Sequence, residues 1–310
     1  MSEPQPTSAT QEGVLTVMVA LAANVGVALA KLVAALLSRS SAMLAEAFHS
    51  LADSGNEVLL LVAQRRSERP ADEEHPLGHG REAYFWALMA SLAVFFSGAL
   101  LSVRQGIAAL LHPSTKGTSF AVAYVVLAIS LVLETLSLRR VYQQLREEAA
   151  ELRREFSEHF SLSSDPIARA IFAEDAAAVI GNVVAAIGLG LHQLTGSAIP
   201  DGIAAIVIGL VLGYVALQLG MRNGDFLIGR RASAAIYKSV ETAIASQPGV
   251  GAVTELVVTF LGPRRLWVIA RIDVDETLRG ADIKALVRKT QEVLTAQSRF
   301  IARIDLVLTT

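Results

Sequence analysis

The 310-residue chain contains no cysteine and few charged residues. The absence of cysteine excludes disulfides, thiolate metal ligands and cysteine nucleophiles. Charged residues make up 18% of the chain, against about 25% in soluble domains, and 53% of the residues are hydrophobic. The net charge of -2 gives no reason to expect a nucleic-acid partner. Long apolar runs recur instead, so the sequence predicts an integral membrane protein in a lipid bilayer.

The chain also lacks the sequence motifs of the enzymes that would suit such a composition. It has no H-E-x-x-H metalloprotease motif, no G-x-S-x-G elbow and no phosphate-binding P-loop. We therefore expect neither enzymatic activity nor a prosthetic group. An intramembrane metal hydrolase would need a general base, for which Glu174 is a candidate, but no hydrolase motif supports it.

Six apolar segments are long enough to cross a hydrocarbon core of about 30 Å. They cover residues 14–37, 42–64, 83–111, 119–138, 166–191 and 199–221. Residues 1–13 carry acids but no basic residue, unlike a secretory signal, and are expected to form a disordered tail. Charged residues at helical spacing extend the fourth span as a cytoplasmic helix over about 139–165. Residues 14–221 are thus predicted to form a transmembrane domain of six helices.

Basic residues are concentrated in the connections on one side of these spans. Those connections hold Arg65, Arg66, Arg69, Arg81, Arg139, Arg140, Arg146, Arg153, Arg154, Arg169, Arg222, Arg230 and Arg231. The opposite side holds only Arg39 and Lys116. Because Lys and Arg are retained on the cytoplasmic side, both termini of this multi-pass protein are predicted to be cytoplasmic, and we expect it in the cell membrane.

The apolar runs end at a linker over 222–232, and residues 233–310 have a different pattern. Helical stripes alternate with runs of period two, in which Leu266, Val268, Ala270, Ile272 and Val274 share one face. The order α-β-β-α-β predicts a small cytoplasmic α+β domain with helices on one face of the sheet.

Four ionisable residues in the second and fifth predicted spans are candidate metal ligands. His49 and Asp53 are four residues apart on one helix face, and Glu174 and Asp175 lie in the fifth span. Each such group costs about 2.5–3.5 kcal/mol to insert, and imidazole with carboxylates suits zinc or a similar divalent metal. Adjacent residues are about 100° apart on a helix, so we favour Asp175 as the ligand. Glu174 is left as a supporting, proton-carrying or alternative ligand, and interhelical hydrogen bonding is the competing interpretation of all four.

Three further polar residues in the spans give weaker signals. Asn24 is expected to form an interhelical hydrogen bond. Glu134 lies close to the cytoplasmic end of its span and is expected to be an interfacial charge. Lys31 lies toward a span end and is expected to extend its ammonium to the interface.

The loop sequence ADEEHPLGHGR between the second and third spans is rich in possible metal ligands. Asp72, His75 and His79 lie within eight residues, and two imidazoles beside a carboxylate could bind a metal at the cytoplasmic mouth. The alternative is a hydrophilic loop whose acids keep it in water. Spacing alone does not decide between them.

Five stretches of the chain carry a family resemblance: SSAMLAEAFHSLADSGNE, HPLGHGREAYFW, EDAAAVIGNVVAAIGL, PDGIAAIVIGLVLG and the LIGR after it. They resemble the cation diffusion facilitator (CDF) family of divalent-metal transporters, from Leu15 over nearly the whole chain. The resemblance implies a homodimer of metal/proton antiporters, each with six transmembrane helices and a ferredoxin-like or metallochaperone-like cytoplasmic domain.

The resemblance also implies roles for the residues singled out above. His49 and Asp53 match half of the family's transport site, and Asp175 matches the aspartate of its fifth-span H-x-x-x-D motif. The loop residues match an accessory metal site known in some members, formed here by Asp72, His75 and His79.

Two departures from the family pattern stand out. Ile171 occupies the fifth-span histidine position, and the Glu174–Asp175 pair resembles the branch that includes the ninth human zinc transporter. The last histidine is His192, so the cytoplasmic domain has no imidazole to bind metal.

The sequence therefore predicts a proton-coupled antiporter that exports a divalent transition metal, with zinc favoured, from the cytoplasm. One histidine with carboxylates also suits manganese, iron, cobalt or cadmium. The alternative function is a metal-responsive membrane sensor that binds the ion without transporting it.

Overall fold

The computed structural model of the chain describes residues 8–112, 120–151, 155–275 and 277–309. These residues form two compact units. The helical unit consists of the described residues within Met1–Val62, Ala87–Phe156 and Ile167–Met221, and the mixed unit of those within Ala63–Trp86, Ser157–Pro166 and Arg222–Thr310.

Eight α-helices occupy the described residues as far as Ile228. They are α1 (Ser8–Ser38), α2 (Ser41–Ser67), α3 (Glu82–Ala93), α4 (Leu100–Leu111), α5 (Phe120–Glu151), α6 (Phe156–Leu162), α7 (Pro166–Thr195) and α8 (Ile199–Ile228). A π-helical segment, Val94–Ala99, joins α3 to α4, so that the predicted third span is continuous. The predicted tail over 1–13 falls partly on residues 1–7, which lie outside the described residues, as does the start of the fourth span at 119.

Five stretches of helix in the described residues are long and apolar enough to cross a membrane: Leu21–Ser38, Glu82–Leu111, Phe120–Ala150, Pro166–Thr195 and Ile199–Ile228. The helix α2 has 27 residues, a length of about 40 Å, but it carries Glu46, Asp53 and Glu57. Large apolar side chains such as Leu36, Val125 and Leu194 are exposed on the outside of the helical unit, as expected of a surface that faces lipid. The predicted α-helical membrane fold is thus confirmed.

Small residues let the helices of the helical unit approach closely. Its core contains Ala45, Ala123, Ala177 and Ala205, which pack with larger residues such as Leu212. Small side chains at helix contacts are typical of membrane bundles, because they allow close van der Waals packing.

The first turn of α2 is held in place by a residue of α8. The Ser40 hydroxyl accepts a hydrogen bond from the Met43 amide at 3.0 Å and donates one to the Asp201 carboxylate at 2.6 Å. Asp201 also accepts a hydrogen bond from the Ser41 amide. A carboxylate at a helix N-terminus satisfies amides without intrahelical partners and complements the helix dipole. This contact fixes the start of the helix that carries His49 and Asp53.

The mixed unit contains a three-stranded sheet with two helices. From Ala234 onward its described elements are α9 (Ala234–Ala245), β1 (Val250–Gly262), β2 (Arg265–Val274), α10 (Gly280–Gln297) and β3 (Ile301–Thr309). The strand order is β1-β2-β3, with β1 antiparallel and β3 parallel to β2. The five alternating residues of β2 predicted to share a face are all buried, and they pack with Ile244, Leu286 and Leu294. The predicted α-β-β-α-β order is confirmed.

Candidate functional site

An acid-lined cavity of about 250 Å³ lies inside the helical unit, between α1, α2, α5 and α7. Its polar lining consists of Asn24, Ser50, Asp53, Asn56, Glu57, Glu134, Ser137, Glu174 and Asp175. Five of these side chains are carboxylic acids. Acids are costly among apolar helices, and so many around one cavity favour the binding of a cation there.

The helix α2 supplies its part of the lining through helical spacing. Asp53, Asn56 and Glu57 are separated by three and four residues, which places them on one side of the helix. Glu174 and Asp175 of α7 both line the cavity. Adjacent helix positions are about 100° apart, but the cavity is wide enough for both acids to reach it.

The cavity carboxylates are oriented by neutral donors. Glu174 accepts a hydrogen bond from the Asn56 amide, and Asp175 accepts one from the Ser137 hydroxyl at 2.7 Å. Glu57 accepts one from the Asn24 amide at 2.7 Å, which confirms the interhelical hydrogen bond predicted for Asn24.

Several oxygen atoms at this cavity are buried and lack a hydrogen-bond partner. They are Oδ1 of Asp53, Oδ1 of Asn56 and Oε2 of Glu57. A buried acceptor left unsatisfied costs about 1–3 kcal/mol. A cation in the cavity would satisfy such oxygens, so the donor set fits a divalent metal bound mainly by oxygen.

The predicted intramembrane ligands do not all meet at one point. His49 is fully buried and its Nδ1 lies 3.4 Å from Oδ1 of Asp53, but it is not among the residues that line the cavity. Asp53, Glu174 and Asp175 share the cavity without forming a compact ligand cluster. Across the described parts of the chain, the one group of three ligating side chains with atoms within 4.8 Å of one another lies in the loop before α3.

Two interpretations based on position within a span are wrong. Lys31 does not extend to the interface: it is 0% exposed, and its Nζ donates to Glu46 at 2.9 Å and to Glu134 at 2.8 Å. Two carboxylates replace the water that the ammonium would otherwise seek. Glu134 is correspondingly not an interfacial charge, because it lines the cavity and binds Lys31.

The sequence interpretation also missed residues of the site. Asn56 and Glu57 follow Asp53 at three and four residues, so extending the stripe that begins with His49 would have found them. Glu46 precedes His49 by three residues and belongs to the same stripe. Ser137 gave no signal of its own, because a serine in a membrane helix ordinarily bonds to its own backbone.

The second candidate site is the loop of the mixed unit, where Asp72, His75 and His79 come together. One oxygen of Asp72 accepts a hydrogen bond from the His75 amide at 2.6 Å, and the other lies 2.9 Å from Nε2 of His79. Nδ1 of His79 lies 2.6 Å from Glu82. The two imidazole rings are 4.2 Å apart. The three side chains are thus close enough together to share one metal ion.

Hydrogen bonds shift the pKa values of Asp72 and His79 in opposite directions. Hydrogen bonds from His79 and from the His75 amide lower the pKa of Asp72 to about 2. Hydrogen bonds with Asp72 and Glu82 raise the pKa of His79 above its ordinary value. These hydrogen bonds favour the protonated form of His79, and a metal bound by the same ring nitrogens would compete with that proton.

Glycines fix the backbone of this loop. Gly78 has a φ of +78°, a conformation that other residues rarely adopt. A Cβ on Gly80 would collide with the carbonyl of Leu261 at the end of β1, so the loop packs directly on the strand backbone there. This contact holds His79 next to the sheet of its own unit.

The fold and the cavity define a polytopic membrane protein with an internal site suited to cations. The chain belongs to the cation efflux family, whose transmembrane-domain model matches residues 17–228. This membership in a family of transport proteins confirms the resemblance to the cation diffusion facilitators.

Individual relatives have the same character. The chain is 33% identical over 273 residues to the mitochondrial proton-coupled zinc antiporter SLC30A9 of Xenopus laevis, which covers 86% of this chain and 49% of that protein. It is 31% identical over 287 residues to the human protein of that name, a match that covers 91% of this chain and 50% of the human protein. It is 27% identical over 270 residues to the cation-efflux pump FieF of Serratia proteamaculans, a match that covers 86% of this chain and 82% of that pump. The chain thus spans about half the length of the first two relatives.

Proposed function

We propose that this protein is a proton-coupled antiporter that exports a divalent transition metal, with zinc as the favoured cargo, from the cytoplasm. The observation that carries the proposal is the acid-lined cavity inside the helical unit. Membership in the cation efflux family and similarity to the two proton-coupled zinc antiporters support it.

In this proposal the cargo binds to Asp53, Glu174 and Asp175. His49 contacts Asp53, and it either joins the ligands when the helices move or exchanges protons with that carboxylate. The hydrogen bonds from Asn56 and Ser137 orient Glu174 and Asp175.

Ile171 lines the same cavity, at the position where the family resemblance leads one to expect a histidine. Its apolar side chain offers no lone pair to a metal. Glu174 supplies a carboxylate one helical turn away and takes over that ligand position.

Coupling to protons follows from the chemistry of the ligands. Carboxylates and imidazole bind a metal only when deprotonated, so metal and protons compete for the same atoms. A site that opens alternately to the two sides of the membrane then exchanges metal for protons.

The loop residues Asp72, His75 and His79 would capture cytoplasmic metal before it enters the cavity. The same cluster also supports the second candidate function, a membrane sensor that binds metal without transporting it. Movement of zinc across a sealed membrane distinguishes the two, since a sensor produces none.

We further propose that the protein resides in the cell membrane with both termini in the cytoplasm and acts as a homodimer. Labelling of single introduced cysteines tests the orientation cleanly, because the chain has no native cysteine.

The direct test is zinc uptake into sealed proteoliposomes containing the full chain. Wild-type protein should move zinc at a rate that responds to an imposed pH gradient. Asp53→Asn and Asp175→Asn should abolish the flux, while Glu292→Gln on the exposed surface of α10 should not. Flux that ignores the pH gradient would refute proton coupling, and zinc binding without flux would favour the sensor.

A further inference from the structure

The interior of the helical unit contains a lysine to which the proposed mechanism gives no role. Lys31 of α1 is completely buried and is held between Glu46 of α2 and Glu134 of α5. Burying an ion pair costs several kcal/mol per ion in lost hydration, and apolar residues of similar volume often stabilise a core as well or better. Stability alone is therefore a poor explanation for this arrangement.

The surroundings of the lysine are shaped to fit it. Gly181 of α7 leaves room for the Glu46 carboxylate, because a Cβ there would collide with Oε1 of Glu46. The next residue, Asn182, donates a hydrogen bond to the Glu134 oxygen that does not bind Lys31. Lys31 and its two carboxylates thus connect four helices.

Glu134 belongs to two sites at once. Besides binding Lys31, it lines the cavity together with Asp53, Glu57, Glu174 and Asp175. A divalent cation in that cavity and the Lys31 ammonium are both attracted to the same carboxylate. The ammonium cannot leave, because it is tethered to α1 and also held by Glu46 at 2.9 Å.

We propose that Lys31 is a built-in cation that competes with the transported metal for Glu134 and so weakens the cavity's hold on its cargo. The inference rests on the proposed function. A cavity lined by five acids would bind a divalent ion tightly, and an exporter must also release it. By withholding Glu134, Lys31 lowers the affinity to a value that permits release.

A double-mutant cycle on the purified full-length protein tests the competition, with zinc affinity measured by titration calorimetry. The variants are Lys31→Met, Glu134→Gln and the double variant. Lys31→Met should bind zinc roughly tenfold more tightly than wild type. In the Glu134→Gln background the same substitution should change the affinity little, because the carboxylate under competition is gone.

Transport provides a second measurement. Lys31→Met should lower the maximal zinc flux while also lowering the zinc concentration at half-maximal flux. A purely structural role would weaken both binding and flux, so equal or weaker zinc binding by folded Lys31→Met would overturn the proposal. Equal tightening in the presence and absence of Glu134 would overturn it as well.

Glu46→Gln keeps the lysine and covers the case in which Lys31→Met does not fold. It leaves the ammonium to Glu134 alone and should weaken zinc binding, whereas tighter binding would contradict the competition. Wild-type protein that neither binds nor moves zinc would refute the proposed function. Zinc transport by wild type with an unaltered affinity in Lys31→Met would refute only the role of Lys31.

Discussion

The hydrogen bonds of Asp201 at the start of α2 lead to a quantitative prediction. This carboxylate accepts one hydrogen bond from the Ser40 hydroxyl and one from the Ser41 amide, and all three residues are buried. A hydrogen bond to a charged group contributes about 1.5–3 kcal/mol. Asp201→Asn keeps the size and one acceptor oxygen but replaces the other with a donor, so it should lose one of the two bonds. Asp201→Ala should lose both.

We expect Asp201→Asn to lower the free energy of unfolding by about 1.5–3 kcal/mol. For a folded unit of about 150–250 residues, this loss of stability corresponds to a fall in Tm of about 3–12 °C. The assay is the thermal unfolding of the detergent-solubilised protein, with Glu292→Gln on the exposed face of α10 as the matched control for loss of a carboxylate. A Tm for Asp201→Asn within 1 °C of the control, taken as roughly the resolution of such scans, would refute the capping argument. A smaller effect of Asp201→Ala than of Asp201→Asn would refute it equally.

Four further predictions concern the two candidate sites and the sheet. In metal-free protein, NMR should show the His79 imidazole titrating at a higher pH than an ordinary histidine, and Asp72→Asn should lower that midpoint. The reason is the ion pair between His79 and Asp72. This pair is fully present below the ordinary histidine pKa and is lost as the pH rises through the raised pKa of His79. Zinc binding to this loop should accordingly strengthen with rising pH, and a binding curve that ignores pH would contradict the ligand assignment. Ile171→His adds a nitrogen ligand to the cavity wall and should change the order of preference among zinc, cobalt and manganese in competition flux; an unchanged order would show that this position does not contact the metal. Ile272→Ala empties part of a fully buried position of β2 and should destabilise the mixed unit by about 2–5 kcal/mol, whereas full stability in chemical unfolding would contradict the packing described for that strand.

The architecture could be predicted from the sequence because it follows from local periodicity. Apolar runs long enough for a membrane marked the spans, and alternation along 266–274 marked a strand with one buried face. The helix α2 shows the limit of that reasoning. The sequence predicts a span over 42–64, but the charged stripe of α2 leaves this helix outside the five described stretches that are apolar enough to cross a membrane.

The loop cluster could be predicted in part. Asp72, His75 and His79 are close in sequence, so spacing brought them to notice, but it did not decide between a metal site and a solvated loop. Two further contacts position the cluster: Glu82, three residues after His79, contacts its ring, and the strand end at Leu261 packs against Gly80. The contact with Leu261 has no signature within the loop itself.

The errors at Lys31 and Glu134 have a common physical cause. A charge in a membrane helix can be interpreted from sequence when its partner is one turn away, as with His49 and Asp53. Lys31 instead finds Glu46 at a separation of 15 residues and Glu134 at a separation of 103. Without such partners, a lysine near a span end has its lowest free energy when its ammonium reaches the interface. The prediction for Lys31 assumed that it had no partner. A charged residue in a membrane span without a local partner is therefore better interpreted as half of an ion pair. Its partner should be sought among the acids of the other helices.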